Sequence, residues 1–252
     1  MPSIVGFVPA RSGSKRIPGK NIRFLCGHPL LAYTVAAALD SEIFDAVILS
    51  TESDEIAQVG AYYGAEVPFL RPVEYAEDLS PDVDWLDYTA RRLSDDGRKW
   101  DAFSILRPTS PLRTSDTIRR AWKQFSPDTT ADSLRAVELC TQHPGKMWKI
   151  EGNRMRPLLP APGEGTPWHS SPYQALPRVY VQNASLEIAW TRTLLEQHSI
   201  AGTSIMPFFT TGFEGMDVNQ LRDWSYMEEL LHRGEVHLPR VTVEPWAAAP
   251  QS

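Results

Sequence analysis

Short apolar runs alternate with amphipathic stretches through the first half of the chain. Ile4-Val5-Gly6-Phe7-Val8-Pro9 ends abruptly in polar, glycine-containing residues, the pattern of a buried parallel strand. Residues 29–39 predict a helix with proline near its first turn. A second buried strand is expected over 46–51. A helix follows over 54–63, with Ser53 as N-cap and Gly64 at its end. Further strands are expected over 65–70 and 102–106, and further helices over 84–94 and 115–125. Strands and helices alternating at this spacing predict an α/β fold: a mostly parallel sheet, helices on both faces, right-handed crossovers. Ligands in such sheets bind beyond the carboxyl ends of the strands. The unusual polar segments 10–21, 50–52 and 107–113 all follow strand ends.

The pattern changes near residue 130. Strands are expected over 133–139 and 147–150, separated by His143-Pro144-Gly145. Residues 156–178 carry Pro157, Pro160, Pro162, Pro167, Pro172 and Pro177, which excludes regular helix and central strand there. An inserted β-rich arm is expected at about 140–190. Residues 180–190 and 200–208 return to strand, and a final helix is expected at about 220–232. From Glu235 onward the chain predicts a frayed end, with 1–237 forming one domain and 238–252 a tail.

Hydrophobic residues make up 42% of the 252, enough for a core, and exclude a disordered chain. The balance of 25 basic against 31 acidic residues, with no basic cluster after the first quarter, argues against a nucleic-acid partner. The apolar run at 29–39 is too short to cross a bilayer, and the N-terminal basic residues follow the apolar run, the reverse of a secretory signal. No membrane association and a cytoplasmic location are expected. Cys26 and Cys140 lie in no ligand pattern and read as reduced, partly buried thiols.

The loop from Pro9 to Asn21 sets Arg11, Lys15, Arg16 and Lys20 beside Gly13, Gly19, Ser12 and Ser14. Glycines let backbone N–H groups approach an anion, and lysine and arginine neutralise it. A triphosphate carries about four negative charges, which such a loop matches. The spacing is neither that of a Walker A loop nor of a dinucleotide fingerprint.

Pro9-Ala10-Arg11-Ser12-Gly13-Ser14-Lys15-Arg16-Ile17-Pro18-Gly19-Lys20-Asn21 resembles the signature P-A-R-x-x-S-K-x-x-P-x-K-N of the acylneuraminate cytidylyltransferases. Leu106-Arg107-Pro108-Thr109-Ser110-Pro111-Leu112-Arg113 is similar to that family's L-Q-P-T-S-P-L-R. Leu70-Arg71-Pro72 with Asp78-Leu79-Ser80 resembles its R-P…D-x-S segment. Tyr173 to Asn183 resembles Q-D-L-P…Y…N-G, and Met216-Asp217-Val218-Asn219 with Arg222-Asp223-Trp224 resembles its closing motif. The motifs fall in family order from about residue 3 to 232.

The resemblance implies a Rossmann-like fold of the nucleotide-diphospho-sugar transferase type, a homodimer in which the arm reaches its partner, and transfer of CMP from CTP to an acidic sugar. Arg11, Ser14, Lys15, Lys20, Asn21, Arg71 and Ser80 would hold the nucleotide. Arg107, Thr109, Ser110, Gln174, Gln182 and Asn183 would lie on the sugar side. Asp217, with Asn219, would hold Mg²⁺, and Arg11, Lys15, Lys20 and Asp217 would carry catalysis through positioning and charge neutralisation. The substrate implied is a 2-keto sugar acid such as N-acetylneuraminic, legionaminic or pseudaminic acid. Alternatives are 3-deoxy-manno-octulosonate, another sugar or sugar phosphate, or a nucleotide-binding pseudoenzyme or sensor.

Three positions depart from the family pattern. Arg107 stands for its glutamine, Asn219 for its second metal-site carboxylate, and Val181 to Glu187 for its R-x-N-G-A-I-Y, with Gln182 and Ala184 replacing the basic residue and the glycine. Among smaller signals, Glu77, Asp78, Asp82 and Asp84 read as acidic residues favouring a helix N-terminus. His143 and His169 read as surface or loop histidines. Trp148, Trp168 and Tyr173 suit either a sugar pocket or a subunit contact.

Overall fold

The computed structural model describes residues 2–160, 163 and 165–247, so Pro162 and residues 248–252 of the expected tail lie outside the described residues. Two compact units emerge, one formed by residues 1–136 and 183–252 and the other by Val137–Gln182.

In the first unit, β1 (Ile4–Pro9) runs parallel to both β4 (Ala46–Ser50) and β5 (Ala102–Ile105). These strands are buried on both faces, which is why they read as continuous apolar runs. Alternate residues serve opposite faces. Ile4, Val8, Val47 and Leu49 join one cluster with α1 (Leu30–Asp40), α2 (Asp54–Tyr62) and α4 (Ser115–Phe125). Val5, Phe7, Ala46 and Ile48 join another with Trp85, Leu86 and Leu93 of α3 (Asp82–Asp95). The full sheet has the order β10-β6-β9-β5-β1-β4, with β6 at Ser133–Leu139, β9 at Tyr180–Trp190 and β10 at Ile205–Phe209. β9 is antiparallel to β5, pairing Ile105 with Glu187.

Local chemistry sets the helix ends. Ser53 Oγ accepts from the Ile56 N–H at the start of α2, and Thr114 and Thr117 form a reciprocal cap at the start of α4. Gly60 lets α2 lie against β4. A Cβ there would fall 2.7 Å from Leu49 Cδ2.

Several expectations need correction. The strand expected over 65–70 shrinks to one bridge between Ile48 and Glu66, because Pro68 has no N–H to extend the ladder. The strand expected over 200–208 starts only at Ile205. Before it, Asp132 accepts from the Thr203 and Ser204 N–H groups and folds them into a turn. The C-terminal segment is docked up to Trp246, not frayed from Glu235 onward. Val236 is buried in the cluster around α6 (Leu221–His232), and the Trp246 N–H donates to Tyr63 at 2.9 Å. A helix at Thr191–Gln197 (α5) and the short strands Phe24–Leu25 (β2) and His28–Pro29 (β3) had no clear apolar period. Cys26 is exposed and Cys140 half-buried, both as free thiols.

The second unit contains an antiparallel hairpin of β7 (Trp148–Glu151) and β8 (Arg154–Pro157), turned by Gly152, at φ 61°, and Asn153. The prolines sit beside short 3₁₀ turns at Pro144–Lys146, Trp168–Ser170 and Tyr173–Ala175. His143 is not a surface histidine. It is 4% exposed, accepts from the Gly145 N–H through Nδ1 and donates from Nε2 to the Pro177 carbonyl, both at 2.9 Å. Among the described residues no helix is long and apolar enough to cross a membrane.

Candidate active site

The loop after β1 and the segments after Thr51 and β5 meet at the carboxyl ends of the strands, as the topology requires. They enclose a cavity of about 570 Å³ lined by Arg11, Ser14, Lys15, Lys20, Asn21, Arg71, Ser80, Arg107 and Thr109 among others. Gly19, at φ 63°, turns the loop into a 3₁₀ turn at Lys20–Ile22. Asn21 fixes the loop to itself by donating from its side chain to the Arg11 carbonyl at 2.9 Å.

Each loop cation has a different environment. Arg11 and Lys15 both pair with Asp78, at 2.9 and 2.5 Å. The Lys15 hydrogen bond, with the charges of Lys15 and Arg11, holds the Asp78 carboxyl below its ordinary range. Lys20 donates from Nζ to the Val218 carbonyl at 3.0 Å. Burial lowers its pKa, and neighbouring Arg16 and Arg11 add to this, against the opposing pull of Asp217. Arg71 is nearly buried, lies over the Trp85 ring and faces Glu52 at 3.6 Å. Glu52 also accepts from the Ser12 N–H and hydroxyl, at 2.7 and 2.6 Å.

On the other wall, Arg107 Nη2 donates to Asp82 at 2.8 Å and to Glu187 at 2.7 Å. Glu187 also pairs with Arg135. Burial raises the Asp82 carboxyl, but the charge and hydrogen bond of Arg107 outweigh it, and the net shift is downward. Behind this wall Arg113 is fully buried, donates to the Arg107 carbonyl and to Thr34 Oγ1, and has its pKa pulled to about 9 by desolvation. Thr109 lines the cavity, whereas Ser110 is fully buried beneath it.

The Asp217 segment is stitched to the cavity wall. The Val218 N–H donates to the Thr109 carbonyl at 2.8 Å, and Lys20 bonds the Val218 carbonyl. Among the described residues Asp217 Oδ1 is buried without a hydrogen-bond partner, and Oδ2 accepts from the Asn219 side chain. The cap of α6 is Gln220, so Asp217 is not consumed as an N-cap. No group of three His, Cys, Asp or Glu side chains capable of holding a metal occurs among the described residues. One carboxylate beside one amide fits Mg²⁺, which takes most of its six ligands from water and phosphate oxygens. Asn183 donates to Thr210 and accepts from the Ser185 N–H, outside the cavity lining. Gln174 and Gln182 belong to the second unit.

Sequence reasoning missed Glu52, Asp78, Asp82, Trp85 and Glu187 as site residues. All but Trp85 are counter-ions of the cations it did find. The available signal was an excess of positive charge that a folded site has to balance.

CMP-N,N′-diacetyllegionaminic acid synthase of Legionella pneumophila is 34% identical to this chain over 235 residues, covering 90% of this chain and 96% of that protein. The chain belongs to the acylneuraminate cytidylyltransferase family. A family profile described as cytidylyltransferase matches residues 5–80 of this family member. Pseudaminic acid cytidylyltransferase of Campylobacter jejuni is 37% identical over 118 residues, 47% of this chain and 51% of that protein. N-acylneuraminate cytidylyltransferase of Escherichia coli is 39% identical over 122 residues, 48% of this chain and 28% of that protein. The solved structure of CMP:2-keto-3-deoxy-manno-octonic acid synthetase complexed with CTP superposes with a TM-score of 0.67 at 15% identity, covering 92% of this chain and 99% of that one. It shares the α/β fold.

Proposed function

We propose that this enzyme transfers CMP from CTP to the anomeric hydroxyl of a nine-carbon 2-keto sugar acid of the neuraminic, legionaminic or pseudaminic kind, releasing pyrophosphate. The observation that carries this reading is the near end-to-end match to the legionaminic acid synthase, with the nucleotide loop intact.

The sugar hydroxyl attacks the α-phosphorus, a new P–O bond forms, and the bond to the β-phosphate oxygen breaks with its electron pair leaving on pyrophosphate. The hydroxyl proton passes to water. Arg11, Lys15 and Lys20 neutralise the phosphates, and Arg71 fixes the nucleotide from a site made rigid by Trp85 and Glu52. Asp217, with the carbonyl of Asn219, would hold Mg²⁺, whose chemistry is Lewis-acid stabilisation of phosphate charge.

The same reading includes a cytoplasmic enzyme, since CTP is an intracellular nucleotide, and a homodimer. Met147, Ile150, Met155 and Leu158 expose apolar surface on the second unit, which suits a subunit contact. Sedimentation would test the dimer. Pyrophosphate release with CTP, Mg²⁺ and a panel of sugar acids tests the reaction. Release only with 3-deoxy-manno-octulosonate would replace the substrate, and CTP binding with no release for any acid would mark a pseudoenzyme.

A further inference from the structure

Glu52 follows β4 and uses both ends of its carboxylate. Oε1 accepts from the Ser12 N–H at 2.7 Å and from the Ser12 hydroxyl at 2.6 Å, and Oε2 faces Arg71 Nη2 at 3.6 Å. Arg71 lines the cavity, whereas Glu52 stands behind the lining. Ser53, the next residue, caps α2, so this carboxylate rises from backbone held between a strand and a helix. The Glu52 side chain is 11% exposed and that of Arg71 4%, which keeps salt from screening them.

Both partners are built into their own segments. The Ser12 carbonyl accepts from the Ser14 N–H at 2.8 Å within the phosphate loop, and the Arg71 N–H donates to the Thr51 carbonyl at 2.8 Å. The joint at Ser12 is closed by two short bonds. The joint at Arg71 is open. Its 3.6 Å exceeds a hydrogen bond, and Glu52 Oε2 and Arg71 Nε have no hydrogen-bond partner among the described residues. An anion that orders the loop fixes Ser12, and Ser12 fixes the carboxylate. Arg71 then closes on a carboxylate that has already lost its freedom.

A second route joins the loop to the chain beyond Arg71. Arg11 and Lys15 pair with Asp78, and Arg11 Nη1 donates to the Ala76 carbonyl at 3.3 Å. Asp78 is a half-exposed partner that a triphosphate displaces, so this route loosens on binding rather than tightening.

We propose that Glu52 is a positioning residue that couples the phosphate loop to Arg71, so that a triphosphate on the loop sets the guanidinium for the rest of the nucleotide; this rests on CTP occupying the cavity as proposed above. By reciprocity, the part of the nucleotide that lies against Arg71 tightens the loop on the phosphates by the same factor.

The test uses the full chain with inorganic tripolyphosphate and reads hydrogen exchange over 10–21 and 69–73. In the wild type both segments should slow on binding. In Glu52→Gln the amide keeps an acceptor for Ser12 but offers Arg71 no charge, so only 10–21 should slow. Asp78→Asn should keep the wild-type response in both. In initial rates, Glu52→Gln should raise the KM for CTP by about five- to tenfold and change kcat by less than about twofold. Ser12→Ala and Glu52→Ala together should cost less than the product of the two single losses. A merely structural role would quicken exchange in both segments before any ligand is added and would leave their responses to it linked. Thermal melting checks folding, Glu52→Gln carries the test if Glu52→Ala unfolds, and the wild-type response can overturn the proposal without any variant. Slowing confined to 10–21 in the wild type would do so. So would slowing at 69–73 that survives Glu52→Gln or vanishes in Asp78→Asn, or an unchanged KM for CTP in Glu52→Gln. No slowing anywhere at saturating tripolyphosphate would sink the parent reading and this one with it. Pyrophosphate release by a wild type that shows no response at 69–73 would sink this one alone.

Discussion

Asp78 meets Arg11 with one carboxylate oxygen and Lys15 with the other. Two of the cations that would face a triphosphate therefore share a counter-ion in the free protein. Exposed pairs of this kind are weak and screened by salt, so a polyanion displaces the carboxylate readily. Asp78→Asn should lower the KM for CTP by roughly two- to fivefold at low ionic strength, with the gain shrinking as salt is added. The Asp78 carboxyl is depressed by Lys15 and Arg11, so its pairing is present above the ordinary carboxylate range and is lost only as pH falls through the folded value. The effect should therefore be the same across the neutral range. A raised KM in initial-rate measurements would assign Asp78 to the nucleotide itself.

Lys20 gives the alkaline limb. Desolvation lowers its pKa from the ordinary 10.5, so it loses its proton earlier than a surface lysine as pH rises. Only the charged form neutralises phosphate. The kcat/KM for CTP should fall on an alkaline limb centred below 10.5, and Lys20→Arg should move that limb upward. Lys20→Ala should abolish the limb and cost about 100-fold or more in kcat/KM. A profile unaffected by Lys20→Arg would remove this residue from phosphate binding.

The proposed metal role of Asp217 and Asn219 is open to titration. Among the described residues Asp217 Oδ1 has no hydrogen-bond partner, so removing it deletes a metal-ligating oxygen without breaking a protein contact at that atom. Asp217→Ala is expected to weaken Mg²⁺ binding by about 10- to 100-fold, read by Mg²⁺ titration in the presence of CTP. Asn219→Asp adds a second carboxylate and should lower the half-saturating Mg²⁺ concentration. Unchanged titration curves for both variants would place the metal elsewhere.

The second unit hangs on His143. Its two ring nitrogens are fully used, one accepting from Gly145 and one donating to Pro177, and the ring packs edge-on against Trp168 and Tyr173. His143→Ala strands the buried Gly145 N–H and frees the partly buried Pro177 carbonyl, and should cost about 1–3 kcal/mol. Hydrogen exchange over 140–180 in the full chain should quicken while exchange in β1, β4 and β5 stays slow. Gly145→Ala should act similarly, since a Cβ there would lie 2.9 Å from both His143 Nδ1 and Trp168 Cβ.

Much of the fold was legible because burial on both faces leaves the central strands as unbroken apolar runs, and because Ser53 marks its helix through a local bond. What escaped depended on partners distant in sequence. Glu187 looks like an ordinary strand residue until β9 lies beside β5 and brings it to Arg107, 80 positions away. His143 looks like a loop residue until Pro177 returns to meet it. Trp246 looks like a loose end until Tyr63 receives its N–H. The cationic loop was readable because its residues are contiguous. The carboxylates that balance it come from several other elements.

The Asp78 clamp also bears on how a turnover ends. Re-forming it competes with whatever phosphate remains in the site. A triphosphate outbids one carboxylate for Arg11 and Lys15, whereas the single phosphodiester of a CMP-sugar, once pyrophosphate has gone, offers far less charge. On the proposed reaction, the returning aspartate would help to expel the product.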